Sequence, residues 1–216
     1  MTAENLTLAT DRNPYNYVKI EQIDRDLQTQ WLTLEEITQQ LNLFADESQD
    51  SYLTSIELAT RMAIEDYLGM SIFPTKYRIY YNNFGLYNTQ VFLDLPEVSQ
   101  GASGVTVNAV KYFAGSNTTP ETIASSGYSY DATGNRIIVN AIPNDLNQIV
   151  ANPIYAEYTS NANFLGNYPV IKQAGLLLLT HIYNNRSASV SGIINPAVMI
   201  PWGIDQLLRS YKPLVM

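Results

Sequence analysis

Residues 169–186 read Pro-Val-Ile-Lys-Gln-Ala-Gly-Leu-Leu-Leu-Leu-Thr-His-Ile-Tyr-Asn-Asn-Arg, and this stretch decides the fold. Pro169 suits the first turn of a helix, where its missing N–H has no partner inside the helix. The run Leu176 to Leu179 then makes the segment apolar on nearly every side, so the spacing predicts a helix over 170–185 that is central and buried on several sides. A helix of that kind needs others around it. The chain beyond it offers only a small-residue loop at Ser187 to Gly192 and a short helix at Asp205 to Tyr211, stopped by Pro213.

The remaining helical partners lie far upstream. Thr33 followed by Glu36 matches a capping box, in which hydroxyl and carboxylate satisfy reciprocal backbone donors at a helix start. Leu34, Ile37 and Leu41 then share one face, which predicts a short helix over 34–41. Asp46, Glu47, Ser48 and Asp50 place acid where the next helix dipole favours it. Leu53, Ile56, Ala59, Ala63 and Tyr67 keep helical spacing until Gly69 ends the run.

Between the two helical blocks the period changes to that of strands. Tyr77, Ile79 and Tyr81 alternate with Lys76, Arg78 and Tyr80. Val91 to Leu95, Val105 to Tyr112, Tyr128 to Asp131, Ile137 to Val139 and Ile154 to Thr159 follow. Ala132, Thr133, Gly134 and Asn135 read as a hairpin turn in which Gly134 supplies the positive backbone angle. Five or six strands are expected, as a small sheet or barrel. The predicted class is therefore α+β: a helical bundle from 31–72 and 165–216, an inserted small antiparallel β domain at 73–164, and an extension or arm at 1–30.

Composition narrows the function. No apolar run reaches the roughly 18 residues that span a bilayer, and the first residues lack the pattern of a signal peptide, so neither a membrane partner nor secretion is expected. Zero cysteines remove disulfides, thiolate nucleophiles and cysteine-based zinc sites. Residues 1–100 carry 15 Asp and Glu against 6 Lys and Arg, and residues 101–216 carry 5 against 6, which gives −9 and +1 and sums to the net charge of −8. No stretch of sequence clusters the Lys and Arg that nucleic-acid binding requires, so tight DNA binding is not expected.

Catalytic constellations are not legible either. His181 is the only histidine, set beside Leu178 and Ile182, and reads as a core or interface imidazole more readily than as a base or metal ligand. A zinc site would need further nitrogen or sulfur ligands. No Gly-x-Ser-x-Gly elbow accompanies it. Glu65 and Asp66 are adjacent on a helix and do not face one another. Glu35 and Glu36 are explained by capping. The acidic run 46–50 lacks the sixth-position Gly and twelfth-position Glu of a calcium loop, and Gly101 and Gly104 lack the flanking pattern of a phosphate loop. The sequons at Asn5, Asn117 and Asn185 are short enough to arise by chance. No cofactor and no enzymatic activity are expected.

Surfaces carry more information. Tyr77, Tyr80, Tyr81 and Tyr87, among 16 tyrosines, could serve partial burial, a subunit interface or a sugar-stacking face. A carbohydrate-binding or adhesion module is the alternative reading open at this point. The proline-broken apolar run Ile193, Ile194, Pro196, Ala197, Val198, Met199, Ile200, Pro201, Trp202 packs either on its own bundle or on a neighbouring subunit. Ile193, Ile194, Val198, Met199, Ile200 and Trp202 are the candidate interface residues.

Taken in order, several short motifs resemble the head-to-tail connector, or adaptor, proteins of long-tailed bacteriophages. These are Leu34 to Glu36, Tyr67 to Gly69, a β-rich insertion, the strand Tyr155 to Thr159, Tyr183 to Arg186, and Pro201 to Leu208. The likeness spans about residues 31–213. Two features depart from it: Ser160 and Asn161 stand where a glycine is usual, and residues 1–30 have no counterpart. The resemblance implies a homo-oligomeric ring, usually of twelve copies, below the portal protein in the capsid–tail neck of the virion and assembled in the host cytoplasm. Such a ring extends the channel through which genomic DNA passes without specific binding, and docks the next neck, stopper or tail-terminator protein. It also implies that the chain end, Tyr211, Lys212, Pro213, Leu214, Val215 and Met216, docks on the portal.

Overall fold

The computed structural model describes residues 16–43, 47–87, 90–96, 104–140, 143–161, 164–186 and 202–212. The fold mixes helices with antiparallel sheets, an α+β arrangement. The chain divides into two compact units, one from residues 1–25 and 73–162, the other from 26–72 and 163–216.

Among the described residues the first unit holds nine strands: β1 (Tyr17–Arg25), β2 (Thr75–Tyr81), β3 (Gly85–Tyr87), β4 (Gln90–Asp94), β5 (Val105–Tyr112), β6 (Glu121–Ile123), β7 (Tyr128–Asp131), β8 (Arg136–Val139) and β9 (Ile154–Ser160). A five-stranded sheet runs β1-β2-β9-β5-β6 and a four-stranded sheet runs β3-β4-β8-β7. Side-chain alternation explains the core they share. Ile154, Ala156 and Tyr158 of β9 and Ile79 and Tyr81 of β2 cluster with Leu93 of β4 and Ile137 and Val139 of β8. Central β9 is buried along nearly its whole length.

Three expectations change in this unit. Residues 17–25, read as part of an arm, form the edge strand β1, paired with β2 from Tyr17 opposite Tyr81 to Arg25 opposite Thr75. Register shifts near both ends of that pairing break the period-two pattern that would have revealed a strand. Nine strands among the described residues replace the five or six expected, because β1 was read as arm and β3 and β6 have three residues each, too few to show a period. In the turn between β7 and β8 the left-handed residue is Asn135, at φ 48°, and not Gly134. Asn tolerates that conformation, and its side chain is held there by Tyr130 Oη and the Leu95 carbonyl.

The second unit holds α1 (Leu34–Leu41), α2 (Asp50–Leu68), α3 (Pro169–Asn184) and α4 (Trp202–Leu208). The Thr33 hydroxyl accepts from the Glu36 N–H while the Glu36 carboxylate accepts from the Thr33 N–H, closing a capping box on α1. A single 3-10 turn at Glu47–Gln49 leads into α2, which Gly69 ends in the left-handed region at φ 63°. α3 packs against α1, α2 and α4. It buries Ile171, Ala174, Leu178 and Leu179 but leaves Leu177 37% exposed, so the leucine run is not enclosed on every side. Trp31 lies across Gly175, where an added Cβ would meet its ring at 2.6 Å, and its indole N–H donates to the Gly166 carbonyl at 2.7 Å.

α2 also buries a polar stripe that period counting did not anticipate: Glu57, Thr60, Arg61 and Glu65. The stripe holds the ends of the adjoining chain. Glu57 accepts the N–H groups of Trp31 and Leu32 at 3.0 and 3.1 Å, the Arg61 guanidinium donates to the Asp26 and Thr29 carbonyls, and Glu65 accepts the Ile72 N–H at 2.7 Å. Residues 26–30, also read as arm, thus belong to the helical unit. Burial pushes the Glu57 carboxyl above its ordinary range, against the pull of the two N–H groups and Arg61.

Candidate functional site

Among the described residues no group of His, Cys, Asp and Glu is placed to hold a metal ion, and three surface features stand out. The face of the five-stranded sheet turned from its core is the most polar of them. Glu157 of β9, only 8% exposed, accepts from Arg78 Nε and Nη2 at 3.0 and 2.6 Å. Lys76 and Lys111 approach its other oxygen at 4.0 Å each. Arg78 and Lys111 also lie over the Tyr155 ring. Tyr80 donates to Glu21 on β1 at 2.9 Å. Burial is the largest single influence on Glu157 and raises its pKa, but the Arg78 hydrogen bonds and the surrounding cations outweigh it and hold the carboxyl below its ordinary value.

Sequence inspection missed this cluster because its cations come from separate strands. Lys19, Lys76, Arg78 and Lys111 are interleaved with Glu21, Asp24 and Glu157 along the pairing, so no bare block of positive charge faces outward here. The arrangement cross-links β1, β2, β9 and β5 in register.

The tyrosines divide between faces. Tyr77 stacks on Tyr158 at 5.5 Å between centroids, and buried Tyr81 donates to the Asp94 carbonyl at 2.7 Å, both on the core side. Tyr80 lies on the other side, tilted against Tyr155. These three therefore do not form one stacking platform.

The other two are an exposed apolar loop residue and a small cavity. The segment 145–150 is fastened at its base by Asn147, which is 4% exposed. Its Oδ1 accepts the N–H groups of Ile149 and Val150 at 2.8 and 3.3 Å, and its own N–H donates to the Phe113 carbonyl at 2.8 Å. At the tip of this fixed loop Ile149 is 87% exposed. In the helical unit, a cavity of about 380 Å³ opens between α3 and α4, lined by Leu177, Thr180, His181, Asn184, Gly203 and Ile204 among others. His181 Nε2 is buried there without a hydrogen-bond partner among the described residues.

Of the residues singled out in the sequence, Ile193, Ile194, Val198, Met199 and Ile200, and Pro213, Leu214, Val215 and Met216, lie outside the described residues. Trp202 opens α4. Tyr211 and Lys212, expected to dock on a portal, are engaged within the helical unit. Tyr211 meets Tyr168 edge-on at 6.0 Å, and the Lys212 ammonium sits 4.2 Å over the Tyr67 ring. The Tyr67 hydroxyl donates to Asp205, and that hydrogen bond, with burial, raises the phenol above its ordinary value. The root of the C-terminal tail is thereby fixed to α2.

The class defined by these observations is an α+β chain whose notable groups are register locks, a fixed apolar tip and a small cavity. No family model and no curated protein matches the sequence. The fold is shared with solved chains of phage-like particles. One from the neck of an empty gene transfer agent particle, computed with C6 symmetry, superposes with a TM-score of 0.63 at 18% identity, covering 92% of this chain and 97% of that one. One from the virion of a native gene transfer agent particle gives 0.61 at 15%, with the same coverage. One from the neck of a native particle, computed with C12 symmetry, gives 0.52 at 14%, again with 92% and 97% covered.

Proposed function

We propose that this protein is a structural, non-catalytic subunit of the neck of a phage-like particle, an adaptor that forms a ring below the portal. The observation that carries this reading is the near-complete mutual coverage, 92% and 97%, with a gene transfer agent neck chain: both units of this chain have counterparts there. In this role the N- and C-terminal helices act as one bundle that seats the subunit, and the β unit serves contacts. A ring of twelve copies is compatible with the C6 and C12 symmetry used for those necks.

The portal above and a stopper or tail-terminator protein below are the proposed partners. Genomic DNA passes through the ring without specific binding. The net of −9 over residues 1–100 suits a channel that repels phosphate. Electron micrographs of particles carrying a gold-labelled version of this chain test the reading. Label at a single capsid vertex is expected, and label spread over the shell or absent from purified particles would reject it.

A further inference from the structure

We infer that neighbouring copies of this chain are joined at β1, whose free edge takes residues 4–10 of the next copy as an added strand. The inference rests on the ring reading above and names the contact that would build it. β1 is an edge of the five-stranded sheet and, at nine residues, a long one. Edges are ordinarily kept short or covered, because their outward N–H and C=O groups invite another strand. Val18, Ile20 and Ile23 are 56%, 44% and 41% exposed, three of the seven large apolar side chains exposed among the described residues. Ile20 pairs with Ile79, a wholly buried core residue. The apolar side of the sheet therefore reaches β1 and is left uncovered there.

The start of the chain has the composition of the missing strand. Residues 4–10, which lie outside the described residues, read Glu-Asn-Leu-Thr-Leu-Ala-Thr, with neither Pro nor Gly. In a strand, two-residue spacing sets Leu6 and Leu8 on one face and Asn5, Thr7 and Ala9 on the other. Beside β1 the leucines continue the core side from Ile20, while Asn5 and Thr7 join Lys19 and Glu21 on the polar side. The donor comes from a different copy because Asn16 opposes a return onto the same β1, which needs a hairpin reversal just before Tyr17. Its N–H donates to Asp94 Oδ2 at 3.1 Å, its Nδ2 donates to the Phe92 carbonyl at 2.9 Å, and its Oδ1 accepts the Asp94 N–H at 2.9 Å. Asn16 is thus tied to β4 in the other sheet. Pro14 biases Asn13 toward an extended backbone, and the five residues 11–15 can span about 17 Å, enough to reach a touching neighbour. Donor segment and acceptor edge are different surfaces, so copies can link head to tail and close as a ring.

Amide exchange of the full-length chain over a range of concentrations tests the contact. The β1 amides that β2 does not bind should slow roughly tenfold or more from the dilute to the concentrated chain, while the amides of β9 stay unchanged. A chain carrying Leu6→Asp and Leu8→Asp should lose that slowing and keep the circular dichroism of the parent. Three outcomes would overturn the inference: no slowing at any concentration, equal protection at every dilution as in a hairpin within one copy, or slowing that survives in the double variant as in pairing of β1 with itself.

The absence of native cysteine allows a second measurement. Full-length Leu8→Cys and Ile20→Cys chains are purified separately, mixed at high concentration and joined with a flexible bis-maleimide, which tolerates a shift in register. The mixture should yield roughly tenfold or more covalent dimer over either variant alone, and a chain carrying both cysteines should run on beyond the dimer. No excess in the mixture, product that stops at a two-fold pair, or closure within one chain would also overturn the inference. Gold label at the vertex without these signals would leave the neck reading standing and remove this contact; the signals without label would do the reverse.

Discussion

At the scale of single residues, the contact between Trp31 and Gly175 is the least forgiving described. A methyl group at 175 would lie 2.6 Å from the indole, and overpacking of this kind costs about 1–3 kcal/mol. Gly175→Ala should therefore lower the midpoint of denaturant unfolding without changing its slope. Glu157 gives a prediction with a sign in pH. Its folded pKa is lowered, so its stabilising contribution is present above the ordinary carboxylate value and is lost as pH falls through the depressed one. Glu157→Gln should cost about 2 kcal/mol at pH 7 and flatten the loss of stability between pH 5 and the depressed value, measured by urea unfolding at a series of pH values. Residues whose partners are local, such as Thr33 with Glu36, were readable in the sequence. The Trp31–Gly175 contact and the cations around Glu157 were not, because their partners lie on elements far apart in the chain.

At the scale of elements, helices were easier to read than strands. α2 and α3 are long enough to display their period, and their ends carry Gly69 and Pro169. β1 was hidden because an edge strand with two register shifts exposes Val18, Ile20 and Ile23 and shows no clean alternation. The polar stripe of α2 gave no signal in the sequence, because Glu57, Arg61 and Glu65 at four-residue spacing have the pattern of a solvated face, yet they are buried with backbone groups as partners. The loop at 145–150 gave no periodic signal at all, since its order comes from one asparagine. Asn147→Ala should cost about 1–3 kcal/mol and speed amide exchange at Ile149 and Val150, while the amides of β2 and β9 keep their protection.

At the scale of the whole molecule, the α+β class was legible from the switch between two periodicities, and the candidate surfaces were legible only in part. The apolar run 193–200 and the tail 213–216 drew attention through composition. Ile149 did not, because one exposed isoleucine in a sequence looks like any other. Tyr211 and Lys212 are engaged by Tyr168 and Tyr67, so the proposed docking on a portal is best tested on the residues that follow them. Deleting 213–216 should leave thermal unfolding within about 0.5 kcal/mol of the parent and abolish attachment to portal-bearing capsids in a co-sedimentation assay.

The placement of β1 has a consequence for biogenesis. Residues 17–25 leave the ribosome before the strand they pair with, 75–81, which follows only after α1 and α2 have been made, and that strand's other neighbour, β9, comes later still. Loop closure over such spans is slow, so β1 must wait with its ladder N–H and C=O groups unpaired. Until the rest of the sheet arrives, that nascent ribbon is where a host chaperone would bind or where misassembly would begin.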